Sequence, residues 1–212
     1  IFLRRPLHVA GIGVERNRSD IDPMVLQRWT DFLTHPSIRS ITTRDPGSKS
    51  WIEEHVRPSV PVNVHPDMIC ALPLPPTKRP EGPPIVGLVT RHIKHPKEYI
   101  LVAEVAQRLS NQGWRVRHII GGVGSHGSKD LDNSRHLKVS KKETFHSENL
   151  DAISQALGEC SLVLSMKLHT TLVAVMYGVP TVCVNPVVKA KAFMDAAGCS
   201  NLVVAPNNRR LI

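Results

Sequence analysis

The chain has 212 residues, 41% apolar and 21% charged, which excludes general disorder and allows one large or two small domains. Its net charge of +9 points to acidic partners: phosphates, carboxylates or an anionic membrane surface. Nucleic acid is disfavoured, because the Lys and Arg residues are scattered and only three Trp, two Tyr and four Phe are available for stacking.

In chain order, residues 7–14 form an apolar run ending near Gly11-Ile-Gly13 and read as a buried parallel strand entering a tight turn. Asp22-Pro23 then caps and opens a helix, with Val25, Leu26, Trp29, Phe32 and Leu33 sharing one face. Residues 38–43 repeat the strand pattern, 45–56 the helix pattern with Trp51 and Ile52 inward, and 60–64 a further short strand. Residues 72–84 are proline-rich and predict a stiff spacer. The expected domains are therefore 1–78, with the linker starting at 72, and 79–212.

Beyond the spacer, residues 85–90 read as a strand and 96–112 as a helix with Ile100, Leu101, Val105 and Leu109 inward. A strand at 114–120 follows. Residues 121–147, with His126, His136 and His146, show no sustained period and read as a long loop. A helix at 150–157, a strand at 161–164, a helix at 167–177, a strand at 181–184, a helix at 189–197 and a strand at 202–204 complete the series. Strands alternating with helices predict an α/β protein with two Rossmann-like parallel sheets.

Cys70, Cys160, Cys183 and Cys199 have no CxxC or metal-ligand spacing and are expected as buried, reduced thiols, which favours a cytoplasmic setting. No apolar run approaches the ~20 residues that cross a bilayer, and the N-terminus lacks the order of a signal peptide. The start at Ile1, without Met, predicts a preceding segment. No feature sets an oligomeric state.

The strongest chemical signal is the stretch from Ser161 to Lys189, where an apolar strand ends at Ser165 and a helix begins at once. Its free N–H groups would lie at the carboxyl edge of a sheet, where α/β proteins bind ligands. Lys167 and His169 in the first turn oppose the helix dipole at about 0.3–1 kcal/mol each, a cost that a bound anion would offset. Solvation at an ordinary helix start is the plain alternative. Arg91 and His92, with Lys94 and His95, follow another strand at the same kind of edge, although a solvated loop fits them equally. Gly122-Val-Gly-Ser-His-Gly127 satisfies GxGxxG but precedes a polar stretch, which argues against a dinucleotide loop. The histidines lack HxxxH or HxH spacing, so no metal or other cofactor is expected. Glu53-Glu54 reads as solvated, and no carboxylate pair suits glycosidase chemistry.

Three ordered motifs resemble the polysaccharide pyruvyl transferase family: Arg44-Asp45 with Ser48; Ser165-Met-Lys-Leu-His169 followed by Gly178-Val-Pro180; and Lys189, twenty residues after His169. Pro66-Asp67 is similar to the Pro-Asp that ends the family's first domain. The resemblance implies a GT-B-like fold of two Rossmann-like domains, the first incomplete because the family begins about a hundred residues earlier. It implies transfer of the enolpyruvyl group of phosphoenolpyruvate to a polysaccharide sugar or its lipid-linked or nucleotide-linked precursor. That reaction suits the cytoplasm at the inner membrane face, and peripheral association there would use the basic charge, although no amphipathic anchor is visible. His169 is the implied acid/base, Arg44 and Lys189 the donor anchors, and Lys167, Ser165, Asp45 and Arg91 further substrate contacts. The family has Arg where this chain has Lys167, which keeps the charge but loses the bidentate fork. A nucleotide-sugar glycosyltransferase of the same fold and a non-catalytic anion-binding fragment are the competing readings.

Overall fold

A computed structural model describes residues 5–14, 21–92 and 99–205 and divides into two units, Ile1–Leu72 and Pro73–Ile212. In the first unit β1 (Leu7–Ile12), β2 (Ile38–Thr43) and β3 (Val62–Val64) form a parallel sheet in that order. The connections run through α1 (Pro23–Leu33) and α2 (Pro46–His55). Both helices open on Asp-Pro. Asp22 Oδ1 accepts from the Met24 N–H at 2.8 Å, and proline occupies a first-turn position where its missing N–H costs nothing.

Leu33, Ile38, Ile41, Ile52, Val56 and Val62 form the core of this unit. The expected inward face of α1 is only partly realised: Leu33 is buried and Leu26 packs on the core, whereas Val25, Trp29 and Phe32 are exposed.

The second unit carries β4 (Ile85–Val89), β5 (Arg115–Ile119), β6 (Lys142–Phe145), β7 (Leu162–Ser165), β8 (Thr181–Val184) and β9 (Val203–Val204). Five helices connect them: α3 (Ile100–Asn111), α4 (Gly124–Asn133), α5 (Leu150–Gly158), α6 (Leu168–Met176) and α7 (Val188–Ala196). The strand order is β6-β5-β4-β7-β8-β9, every pair parallel. This is a doubly wound sheet whose order reverses between β4 and β7, and such a reversal leaves a crevice at the carboxyl ends of those two strands. Central β4 is buried along its whole length, which explains its unbroken apolar sequence.

Several expectations are corrected. Residues 121–147 are not one loop: they contain α4, a 3₁₀ turn at Ser134–His136 and β6. The inward positions of α4 are Gly127, Asp130 and Asn133, so no apolar stripe marks it. Among the described residues β6 is an edge strand paired with β5 alone, and its polar composition reflects that exposure. Helix α3 turns Leu101, Val102 and Ala106 inward and packs Val105 and Leu109 on the core, as expected for Leu101, Val105 and Leu109, but leaves Ile100 exposed; the expected start at residue 96 lies outside the described residues.

The proline-rich segment is held along the second unit. Tyr177 OH donates to the Pro75 carbonyl at 2.7 Å and Gln155 Nε2 to that of Pro76 at 3.1 Å. Cys160 and Cys183 are buried, and burial pushes the Cys160 thiol up to about 12. Cys70, expected to be buried, is exposed on the 3₁₀ turn at Met68–Ala71. Among the described residues no helix is long and apolar enough to cross a membrane.

His118 on β5 has no exposed surface. Its Nε2 pairs with Thr90 Oγ1 at 2.8 Å, while Nδ1 has no hydrogen-bond partner among the described residues. Burial first, then Lys142 and Lys167, lowers its pKa to about 4 from the ordinary 6.5. Between those values the unfolded chain binds the proton and the folded chain does not, so stability is present above pH 6.5 and is lost as pH falls toward 4. Urea unfolding from pH 7.5 to 4 should therefore show a slope approaching about 1.4 kcal/mol per pH unit from this residue. Subtracting the His118→Gln profile isolates it; identical slopes would remove His118 as the source.

Candidate active site

In the first unit, β2 runs out at Thr43 and delivers Arg44 and Asp45 to the start of α2. Asp45 Oδ1 accepts from the Ser48 N–H and Oδ2 from the Ser48 hydroxyl, both at 2.7 Å. Ser48 Oγ in turn accepts from the Val14 N–H at 2.8 Å. Asp45 and Ser48 therefore serve as a helix cap that also ties down the segment after β1. Arg44 Nη1 reaches Asp67 Oδ2 at 3.2 Å, and both side chains are largely buried. The guanidinium lies flat over Gly13, where an added Cβ would sit 2.3–2.4 Å from it. Two motifs 23 residues apart, Arg44-Asp45 and Pro66-Asp67, are thus one ion-paired device, a link that separate motif matches do not reveal.

In the second unit, the β7–α6 turn is a dense polar knot. Ser165 is fully buried, and its hydroxyl donates to the Lys167 carbonyl at 3.0 Å, accepts from the Lys167 N–H at 3.2 Å and pairs with Thr170 Oγ1 at 2.9 Å. The Thr171 hydroxyl also donates to the Lys167 carbonyl, at 2.7 Å. Ser165, expected as a substrate contact, acts as an internal strut. Gly178-Val-Pro180 has an architectural role too: Gly178 takes φ +68, stopping α6, and the Val179 N–H bonds back to Ala174 O at 2.9 Å.

Lys167 caps the start of α6 through its backbone and sends its ammonium to Asp130 Oδ2, with a second bond to Gly121 O at 3.3 Å. Asp130 Oδ1 accepts from the His92 N–H at 2.8 Å. Only 4% of the Asp130 side chain is exposed. Sequence reasoning missed this residue, because it lies on the helix read as loop. Asn133, one turn on, donates to Tyr99 OH at 3.1 Å, and Tyr99 OH donates to Arg91 O at 2.6 Å. The ends of β5, β4 and β7 are joined at the switch point by one connected set of buried polar groups.

His169 is exposed at the second position of α6, and Lys189 is partly exposed at the second position of α7. Since β7 and β8 are parallel neighbours, the offset of twenty from His169 to Lys189 is one βα repeat, and both residues stand at the same edge of the sheet. Arg91, partly buried, follows β4 on that edge. Lys94 and His95 lie outside the described residues.

The doubly wound domain, with basic residues at helix starts along its carboxyl edge, and the second parallel sheet make this an α/β protein with a GT-B-like fold. A glycosyltransferase from Rickettsia africae ESF-5 matches 94% of this chain and 55% of its own, with TM-score 0.52 and 13% identity. An O-GlcNAc transferase mutant from Thermobaculum terrenum matches 79% and 35%, with TM-score 0.49 and 19% identity. An E. coli heptosyltransferase solved with ADP matches 57% and 46%, with TM-score 0.38 and 14% identity. The chain thus spans between about a third and just over half of these solved chains. The model of the polysaccharide pyruvyl transferase family matches residues 1–186, and the chain belongs to that family. No functionally curated protein matches it.

The first turn of α4 and the glycine loop before it are held in close contact. A Cβ on Gly127 would lie 2.5 Å from the carbonyl oxygen of Gly122, and that backbone cannot swing aside as a side chain could. Gly127→Ala is expected to destabilise the second unit by roughly 1–3 kcal/mol in urea melts. A melt indistinguishable from the parent would mean that the 121–124 segment yields freely.

Proposed function

We propose that the chain is part of a transferase that moves the enolpyruvyl group of phosphoenolpyruvate onto a sugar and releases phosphate. Membership of the polysaccharide pyruvyl transferase family over residues 1–186 carries this reading. The exposed His169 at the carboxyl edge of the doubly wound sheet supports it. The family points to a sugar acceptor; we assign it to a polysaccharide or its lipid-linked or nucleotide-linked precursor, reached from the cytoplasm at the inner membrane face.

The chemistry sets the roles. One acceptor hydroxyl adds its oxygen to C2 of phosphoenolpyruvate as the methylene carbon takes a proton and becomes methyl. A second hydroxyl then displaces phosphate from C2, its proton leaving with the phosphate, and a cyclic ketal remains. A group that both gives and takes protons near neutrality is needed, and an exposed imidazole meets that need. His169 is assigned as this acid/base, Lys189 and Arg44 as anchors for phosphate or carboxylate, and Arg91 as a further contact. Ser165 and Asp45 hold the loops that present these groups.

Calorimetric titration of phosphoenolpyruvate into the chain, with UDP-sugars in parallel, tests the reading. Binding is expected, weakened by Arg44→Ala and retained by His169→Ala, with phosphate release in the presence of acceptor falling about 10²–10⁴-fold in the latter. Circular dichroism on each variant separates lost binding from lost structure, since Arg44→Ala also removes the partner of Asp67. Binding of UDP-sugars alone would replace the pyruvyl donor with a sugar nucleotide. Donor binding without turnover by the parent would make the chain an anion-binding fragment.

A further inference from the structure

We propose that Asp130 is a positioning residue and the resident counter-ion of the donor site, so that the Lys167 charge is balanced inside the protein before any donor arrives. The inference rests on the phosphoenolpyruvate reading above for the identity of the donor.

Asp130 is almost fully buried, and each of its oxygens is engaged by a different strand-end loop: Oδ1 by the His92 N–H after β4, Oδ2 by the Lys167 ammonium after β7. The same ammonium donates to Gly121 O, after β5. One ion pair therefore registers three neighbouring loops around the crevice where the strand order reverses. The β5 loop lies alongside the same lysine: an added Cβ on Gly121 would stand 3.6 Å from Lys167 Cδ, and one on Gly122 3.4 Å from Nζ, both ordinary packing contacts.

The consequence concerns donor charge. An anion at the switch point meets a neutral Asp130–Lys167 pair, and it can recruit the ammonium only by leaving a buried carboxylate uncompensated. Lys167 therefore positions the turn and the helix start rather than contributing a free positive charge to the donor.

A charge cycle tests this. Inorganic phosphate is titrated at low salt into the parent, Lys167→Met, Asp130→Asn and the Asp130→Asn/Lys167→Met double variant, each checked for an intact thermal transition. Asp130→Asn keeps an acceptor for the His92 N–H while removing the charge. Lys167→Met should bind phosphate roughly tenfold more weakly, because Asp130 is left uncancelled. The double variant should return to within about twofold of the parent, and Asp130→Asn should bind more tightly. A double variant as weak as Lys167→Met would show that the ammonium contacts the anion directly and overturn the proposal, as would phosphate binding to none of the proteins. If Asp130→Asn fails to fold, the comparison of Lys167→Met with the double variant still decides. Phosphoenolpyruvate titrated into the parent separates the two claims: phosphate binding without phosphoenolpyruvate binding removes the donor and leaves the charge cycle standing.

Discussion

A buried carboxylate must be matched by a cation and by hydrogen bonds, and the carboxyl edge of the second unit is organised around meeting that demand for Asp130. Removing one partner of such a pair typically costs about 3–5 kcal/mol, because the other charge is left stranded. The penalty makes the arrangement strongly preferred over a loose one: loops that would otherwise wander after β4, β5 and β7 are drawn together. His118 and its Thr90 partner lie in the same region, where burial first, then the charges of Lys142 and Lys167, disfavour a proton on the imidazole.

The first unit uses the same logic on a smaller scale. Arg44 is held by Asp67, and Asp45 and Ser48 lock the helix start beside it. In the second unit a motif that looks like a set of ligands divides into His169, which is exposed, and groups that hold the backbone. Ser165, Thr170 and Thr171 converge on the Lys167 carbonyl and fix the geometry at which His169 leaves the helix. This division explains how short motifs can identify a family while most of their residues need never touch a substrate.

Most strands were legible because a doubly wound sheet demands short apolar runs bounded by turns, and β2 and β8 fall at the residues their composition indicates. Helices with an apolar face were legible for a similar reason: on α3 Leu101, Val105 and Leu109 meet the core as expected and only Ile100 does not, whereas α1 keeps just Leu26 and Leu33 of its expected face. Helix α4 was hidden because Gly127, Asp130 and Asn133 make its inward face, and no periodicity of apolar residues can report a face built from a glycine and hydrogen-bonding groups. Of the site, the residue types and their order could be read. The pairing of Arg44 with Asp67 and of Lys167 with Asp130 could not, since separations of 23 and 37 residues close only in three dimensions.

Strand β6 escaped notice through its polarity, and that polarity has a further effect. Among the described residues no strand neighbours its outer edge, and such an edge is a template onto which a foreign strand can add. Glu143 on this strand faces Arg117 across the β5–β6 register and pairs with it and with Arg115, while Lys142 bonds to the carbonyls of Ser134 and Leu137. An incoming chain would have to match a row of charges already neutralised from within, with little apolar surface to gain. The composition that hides this strand from a search for hydrophobic patterns also guards the sheet against runaway growth into aggregates.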